Sequence, residues 1–333
     1  MIKTVVVGFG FAAKVFHLPH LTHSTHYEVV GFVSSSGASK EHSECRHIPV
    51  YESLQQAIEI SEATLYIITT PSNQHYEMVK QCIINNKDVL VEKPAFLTVA
   101  EGEALIQLAR EHQSVVSVHQ NRRWDGDFIT VQKLLQEETL GNWKVFESRF
   151  DRFRPVVRNR WREIAGLGSG NLYDLGSHLI DQAIVLFDEP DAVYAEVMTQ
   201  RENGQTDDSF FIVFHYGEKR VYLRSNSFVN YNYPRFELHG SKGSFVKYGL
   251  DNQEAQLIEG TYYKGKEKEF GIVFKEEEKQ IVIETGGYDE YFKLLAEKLL
   301  KREPVVSLED ALKVTKYIEL AVISSKEGKL IKC

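Results

Sequence analysis

Two short constellations have the residue types and spacing for proton-transfer chemistry. In Val89-Leu90-Val91-Glu92-Lys93-Pro94, a compact apolar run ends on a carboxylate, an amine and a proline. A doubly wound sheet opens its ligand crevice at the carboxyl ends of its strands, which places the Lys93 amine towards that crevice. Pro94 restricts the Lys93 backbone to extended conformations and so fixes where the amine projects. Taken alone, such a lysine also fits a solvated strand end. The second constellation is Gly168-Ser169-Gly170-Asn171-Leu172-Tyr173-Asp174-Leu175-Gly176-Ser177-His178-Leu179-Ile180-Asp181, leading into an apolar helix. On an ideal helix the spacing of Asp174 and His178 stacks them on one face. A carboxylate beside an imidazole orients it and raises its basicity, as general-base chemistry requires. Asp181 also lies within reach of His178. The plain alternative is a capping Asp and a satisfied helical His.

A third motif, Val5-Val6-Val7-Gly8-Phe9-Gly10-Phe11-Ala12-Ala13, places G-x-G-x-x-A directly after a β-branched run. Gly8 permits a tight turn, Gly10 lets the backbone approach a pyrophosphate, and Ala13 allows close helix packing. The phosphates would sit at the positive end of the following helix. An acid at the end of the second strand would hold the ribose of NAD. Here that strand ends Val33-Ser34-Ser35-Ser36-Gly37, with no carboxylate. Ser34, Ser35 and Lys40 suit a 2′-phosphate instead, which favours NADP over NAD. The competing reading is that the serines merely form a turn.

The elements that must position these residues alternate over the first third of the chain. Strands are expected at 4–7, 27–33, 65–69, 89–91 and 115–118, with helices at 14–21, 53–60, 75–85 and 100–111. Short apolar strands separated by helices imply a parallel sheet with helices on both faces. After about residue 120 the pattern changes. Helices are expected at 127–137 and 178–187, with strand-like runs at 143–150, 192–199, 209–216, 220–226, 235–239 and 243–248. Six such runs imply a largely antiparallel, mixed sheet backed by helices. Helices return at 288–301 and 308–325, and the charged stretch 264–279 reads as a solvated hairpin or loop. The fold class is α/β: a Rossmann domain over 1–120 and a substrate-binding α/β domain over 121–304. The last helix, about 305–333, is expected to pack back on the first domain.

The 333 residues, about two domains' worth, include 39 basic and 47 acidic side chains, a net charge of −8. That balance argues against a nucleic-acid partner. No apolar run reaches the roughly 18 residues of a membrane span, and the chain enters a strand at once instead of a signal peptide. Three separated cysteines, Cys45, Cys82 and Cys333, with no CxxC, fit a reduced, cytoplasmic setting. Four of the 12 histidines, His17, His20, His23 and His26, crowd the region after the glycine turn. On an ideal helix they fan over half the circumference, Pro19 interrupts that helix, and no acid pair lies nearby. No metal site is therefore expected, and the run is read as covering the outside of the first helix, with His17 closest to the cofactor.

The glycine turn, Thr70-Pro71-Ser72-Asn73-Gln74-His75, Glu92-Lys93-Pro94 and Asp174-x-x-x-His178 together resemble the glucose–fructose oxidoreductase/inositol dehydrogenase/MocA family. Order and spacing match over nearly the whole chain. Within that family, His119-Gln120-Asn121-Arg122-Arg123-Trp124-Asp125, Arg152-Phe153-Arg154-Pro155 and Trp161-Arg162-Glu163 resemble the NADP-dependent scyllo-inositol dehydrogenases. The resemblance implies that Lys93 stabilises the developing alkoxide, His178 takes the hydroxyl proton and Asp174 positions substrate and base. It implies a cofactor wall of Gly8, Phe9, Gly10, Phe11, Ala12, Thr70, Pro71, Asn73, His75, Glu92, Lys93, Asn121, Arg123, Trp161 and Arg162. Arg154 and Tyr173 are candidate substrate contacts; the other polar residues of that domain, among them Arg235, fit packing equally well. A homodimer or homotetramer through the C-terminal sheet also follows from the resemblance. The expected activity is hydride transfer between NADP(H) and a cyclic polyol or sugar. Reduction of an aldose or other carbonyl compound, and NADPH sensing without turnover, are the alternatives.

Overall fold

The computed structural model describes residues 1–34, 45–264 and 268–333. Strand β1 (Ile2–Val7) runs into a π-type turn, Ala13–His17, and then α1 (Leu18–His23). There follow β2 (Tyr27–Val33), β3 (Val50–Tyr51), α2 (Leu54–Ile60), β4 (Leu65–Ile68), α3 (His75–Ile84), β5 (Asp88–Glu92), α4 (Val99–His112) and β6 (Val116–His119). The six strands form one sheet in the order β3-β2-β1-β4-β5-β6, every pair parallel. Burial explains the sequence pattern: every residue of β4 is buried, as a strand covered on both faces must be. Side-chain caps start the helices. Ser53 accepts from Gln56 N at α2, and Thr98 accepts from Glu101 N at α4. Pro19, expected to break the first helix, sits in the first turn of α1, where its missing N–H costs nothing.

The chain continues with α5 (Gly126–Gln136), β7 (Trp143–Arg149), α6 (Ser177–Phe187), β8 (Ala192–Met198), β9 (Ser209–Tyr216), β10 (Lys219–Asn226), β11 (Pro234–Gly240) and β12 (Gly243–Tyr248). It ends with α7 (Gln253–Glu259), β13 (Phe270–Phe274), β14 (Glu278–Val282), α8 (Tyr288–Leu300), α9 (Leu308–Glu327) and β15 (Ile331–Lys332). The second sheet has nine strands in the order β14-β13-β12-β11-β7-β10-β9-β8-β15. Only the β7–β10 pair is parallel. Six of these strands match expected runs. The charged stretch contributes to the β13–β14 hairpin, and β15 adds to the far edge.

Packing divides the chain into two units. The first contains Met1–Asn121, Gln253–Lys264 and Gly287–Leu312; the second contains Arg122–Asn252, Gly265–Gly286 and Lys313–Cys333. The opening segment of the first unit ends at Asn121, and the later segments alternate between the two units. Helix α8, expected in the substrate domain, packs in the first unit. There Tyr291 donates to Val118 O at 3.2 Å, and Tyr27 donates to Phe292 O at 2.5 Å. The tail 305–333, expected back on the first domain, is shared. Val305 N donates to Ser117 Oγ in the first unit, at 3.0 Å, whereas Ala195 N donates to Ser324 Oγ in the second, at 2.9 Å. The open edge of β8 is what claims the end of the chain, through the pairing of Ile331 with Val193. No helix among the described residues is long and apolar enough to cross a membrane.

Candidate active site

In the first unit the glycine turn closes β1 onto β4. Gly8 has φ +93°, and a Cβ there would lie 2.9 Å from Thr69 Oγ1 and 3.2 Å from Thr69 C. Both backbone and space therefore demand glycine. Gly10 is different: an added Cβ would meet nothing within 4 Å, so its backbone faces open space. Ala13 is fully buried, as close helix packing requires. Phe9 is buried edge-on against Phe32, Phe11 is exposed, and Ala12 is half-buried. Beyond β4, Thr70 and Pro71 are half-buried and Asn73 is exposed. This cradle fits a dinucleotide: a side-chain-free approach at Gly10 beside a turn that only glycine can make. Ser34, half-buried, follows β2, while Ser35 and Lys40 lie outside the described residues.

His75 is buried beneath this edge. Its Nε2 lies 2.8 Å from Thr70 O and its Nδ1 lies 2.7 Å from Pro94 O. The ring thus ties the turn after β4 to the Lys93–Pro94 segment, whose peptide bond is cis. Lys93 is half-buried, one residue past β5. Asn121 is buried just past β6.

Glu92 sits at the centre of a histidine clamp. Its Oε1 accepts from His17 Nε2 at 2.7 Å and from His119 Nδ1 at 2.8 Å. Burial pushes the Glu92 carboxyl up, but His119 and His17 outweigh it and hold the group well below the usual carboxylate range. Burial, helped by His119, pushes the His17 imidazole down to about 4, so it is neutral at pH 7. The N-terminal histidines are thus not all an outer covering. His17 and His20 are buried, with His20 Nδ1 2.6 Å from Tyr263 Oη and its ring stacked on Phe292. His23 and His26 are exposed. Spacing along an ideal helix could not show this, because the π-type turn at Ala13–His17 changes which face turns inward.

In the second unit, the glycine-rich stretch before α6 is built around a residue the sequence reading did not single out. Gly170 has φ +87°, and a Cβ there would lie 2.0 Å from Asp207 Oδ1. Asp207 Oδ2 accepts Leu172 N–H at 2.7 Å, starting the helix. Burial pushes the Asp207 carboxyl up to about 6. A π-type turn, Leu172–Gly176, then precedes α6, so ideal α-helical stacking does not describe Asp174 and His178. His178 is buried near the start of α6, Tyr173 is buried, and Asp174 is half-buried. Asp174 Oδ1 lies 3.4 Å from Arg162 Nε, and Arg162 in turn lies over the Trp161 ring, 4.6 Å from its centroid.

Asp181, a second candidate partner for His178, is also the partner of Arg123, a residue expected at the cofactor. The Asp181 carboxylate accepts from Arg123 Nε at 2.9 Å and Nη2 at 2.7 Å. Arg154 is half-buried; burial and the charges of Arg152, Arg158 and Arg160 push its guanidinium down to about 10. Arg235 is fully buried, donating to Ser148 Oγ at 2.5 Å and Gln182 Oε1 at 2.9 Å, and so packs inside the unit. Lys93 thus belongs to the first unit, and Asp174 and His178 to the second.

Two family models match the chain. One, described as an oxidoreductase family's NAD-binding Rossmann fold, spans residues 2–120. The other, the C-terminal alpha/beta domain of an oxidoreductase family, spans residues 132–333. The scyllo-inositol 2-dehydrogenase (NADP(+)) IolW of Bacillus subtilis (strain 168) is 37% identical, covering 99% of this chain and 95% of its own. The uncharacterized oxidoreductase YdgJ of Escherichia coli (strain K12) is 36% identical, with 98% and 96% covered. The solved structure of yvaA from Bacillus subtilis superposes with a TM-score of 0.93 at 36% identity, covering 100% of this chain and 98% of that one.

Proposed function

The chain belongs to the GFO/IDH/MocA oxidoreductase family, and from that premise we propose that it is an NADP-dependent dehydrogenase acting on a CH–OH group of a cyclic polyol or sugar, of the scyllo-inositol type. The observation that carries this reading is the row of strand ends in the first unit. Gly8 follows β1, Thr69 to Pro71 follow β4, Lys93 follows β5 and Asn121 lies just beyond β6, all along one edge of one parallel sheet. Ligands of doubly wound sheets bind along that edge. Gly8 to Ala12, Ser34, Ser35, Thr70, Pro71, Asn73 and Asn121 are the residues that would hold the dinucleotide. The serine-ended second strand and the NADP-dependent relative IolW both favour NADP over NAD.

When bound, the nicotinamide supplies the hydride acceptor or donor. Lys93 donates a hydrogen bond to the reacting oxygen and stabilises its alkoxide character. His178 takes the hydroxyl proton, Asp174 orients the base and the polyol, and Arg154 and Tyr173 contact further hydroxyls. Removing a charge-stabilising donor such as Lys93 costs about 3 kcal/mol of transition-state stabilisation, by analogy with oxyanion-hole donors. The reading includes a cytoplasmic setting, supported by three separated cysteines with no CxxC, and a homo-oligomer formed through the nine-stranded sheet.

The test is a steady-state panel of scyllo-inositol, myo-inositol, glucose and xylose with NADP and NAD in parallel, repeated with Lys93→Met and His178→Ala. Polyol oxidation with NADP that both substitutions abolish, while NADPH still binds, is the expected result. Undiminished turnover in both variants overturns the reading.

A further inference from the structure

We propose that His17, Glu92 and His119 form a binding site for one divalent transition-metal ion, Zn²⁺ in the first instance. Three potential ligand atoms, one from each residue, lie within 4.8 Å of one another. The two imidazole–carboxylate contacts, 2.7 and 2.8 Å, already converge on Glu92 Oε1. A tetrahedral ion with donors at about 2.0–2.2 Å sets those donors about 3.4 Å apart. Each histidine–carboxylate separation therefore has to lengthen by little more than half an ångström. Two imidazoles and one carboxylate are a donor set for Zn²⁺, Co²⁺, Ni²⁺ or Fe²⁺, not for Ca²⁺ or Mg²⁺, which take all-oxygen shells. One further position remains for water.

The donors are held before any ion arrives. They come from three separate elements: the π-type turn after β1, the end of β5 and the end of β6. The His17 ring lies 4.5 Å from the His119 ring and edge-on to Phe292, and His119 is edge-on to Tyr291. Each ring now points an N–H at Glu92; on binding it offers the lone pair of that nitrogen, and its proton moves to the other ring nitrogen. Nδ1 of His17 is buried and has no hydrogen-bond partner, so the change of tautomer at His17 breaks no second bond. The other N-terminal histidines are not ligands: His20 is held by Tyr263, and His23 stacks on Tyr263.

The test uses the whole protein, stripped with a chelator, without cofactor or substrate, so its outcome is independent of the proposed dehydrogenase reading. Titration with Co²⁺ is expected to give one equivalent of a visible, ligand-field absorbing species, which Zn²⁺ displaces. His17→Gln and His119→Gln each weaken Zn²⁺ binding by at least about tenfold, the loss typical even of outer-shell partners. The double variant His23→Gln/His26→Gln leaves binding unchanged. X-ray absorption of the wild-type Zn²⁺ complex, which needs no variant to fold, is expected to show two imidazoles and one carboxylate. Absence of a Co²⁺ band, binding lost in the His23/His26 variant, or any other donor set overturns the proposal.

Discussion

Arg123 and Asp181 meet in a two-pronged ion pair: Nε to Oδ2 at 2.9 Å and Nη2 to Oδ1 at 2.7 Å. The carboxylate side chain is 3% exposed. The pair anchors the segment that begins the second unit to the middle of α6, the helix that carries His178. Removing one partner of such a pair leaves an uncompensated charge. Asp181→Asn is expected to cost about 3 kcal/mol in urea denaturation. Arg123→Lys is expected to cost about as much, because an ammonium cannot reproduce the planar fork. A loss below about 1 kcal/mol in either variant would contradict the role given to the pair.

The two glycines of the nucleotide turn separate stability from binding. Gly8→Ala forces a side chain into a left-handed backbone and against Thr69. It is expected to lower stability by about 1–3 kcal/mol and to lose the cofactor. Gly10→Ala meets no atom within 4 Å. Its stability should stay within about 0.5 kcal/mol of wild type, while NADPH binds more weakly. Thermal melts and fluorescence titration of NADPH distinguish the two.

Asp127 predicts a pH dependence of stability. It is buried, neither of its carboxylate oxygens has a hydrogen-bond partner, and burial raises its carboxyl from 3.8 to about 6. A raised carboxyl favours the protonated, folded form. Its contribution is complete below about pH 4 and disappears as pH rises through about 6. Asp127→Asn removes that dependence. Relative to wild type, the variant gains up to about 3 kcal/mol above pH 6, from a rise of about two pH units. Urea denaturation at pH 4 and pH 8 should show the gap at pH 8 alone.

The Glu92 clamp works in the opposite sense. Burial alone would raise this carboxyl, but His119 and His17 hold it low. A depressed carboxyl contributes stability above its unfolded value of 4.5, and that contribution fades only as pH falls well below it. In His17→Gln one hydrogen bond to the carboxylate and one lowering influence disappear, so Glu92 takes up a proton at higher pH. The Glu92 carboxyl resonance, followed by NMR from pH 3 to pH 7, is expected to titrate at higher pH in the variant. Superimposable profiles would show that His17 does not act through Glu92.

A reader of the chain alone recovers much of this molecule. The apolar runs ending at Val7, Thr69 and Val91 are short, continuous and separated by helical spacing, and such local patterns imply a parallel sheet wherever they occur. The Gly8 turn is equally local, because its backbone conformation requires glycine whatever surrounds it. The motifs around Lys93, Asp174 and His178 are local in the same sense. What escaped is what depends on distant partners. The brief strands β3 and β15 carry almost no pattern of their own and exist because an open sheet edge accepts them. Asp207 becomes necessary only when Gly170 brings the backbone against it. The four crowded histidines looked alike in sequence, yet His17 turns inward to meet Glu92 and His119, which are far away along the chain. Sequence by itself determined the local conformations and the fold class, since turns, caps and hydrophobic periods act within a few residues. Only the tertiary structure decided which charges are buried together, because that depends on which strand ends the sheet brings side by side.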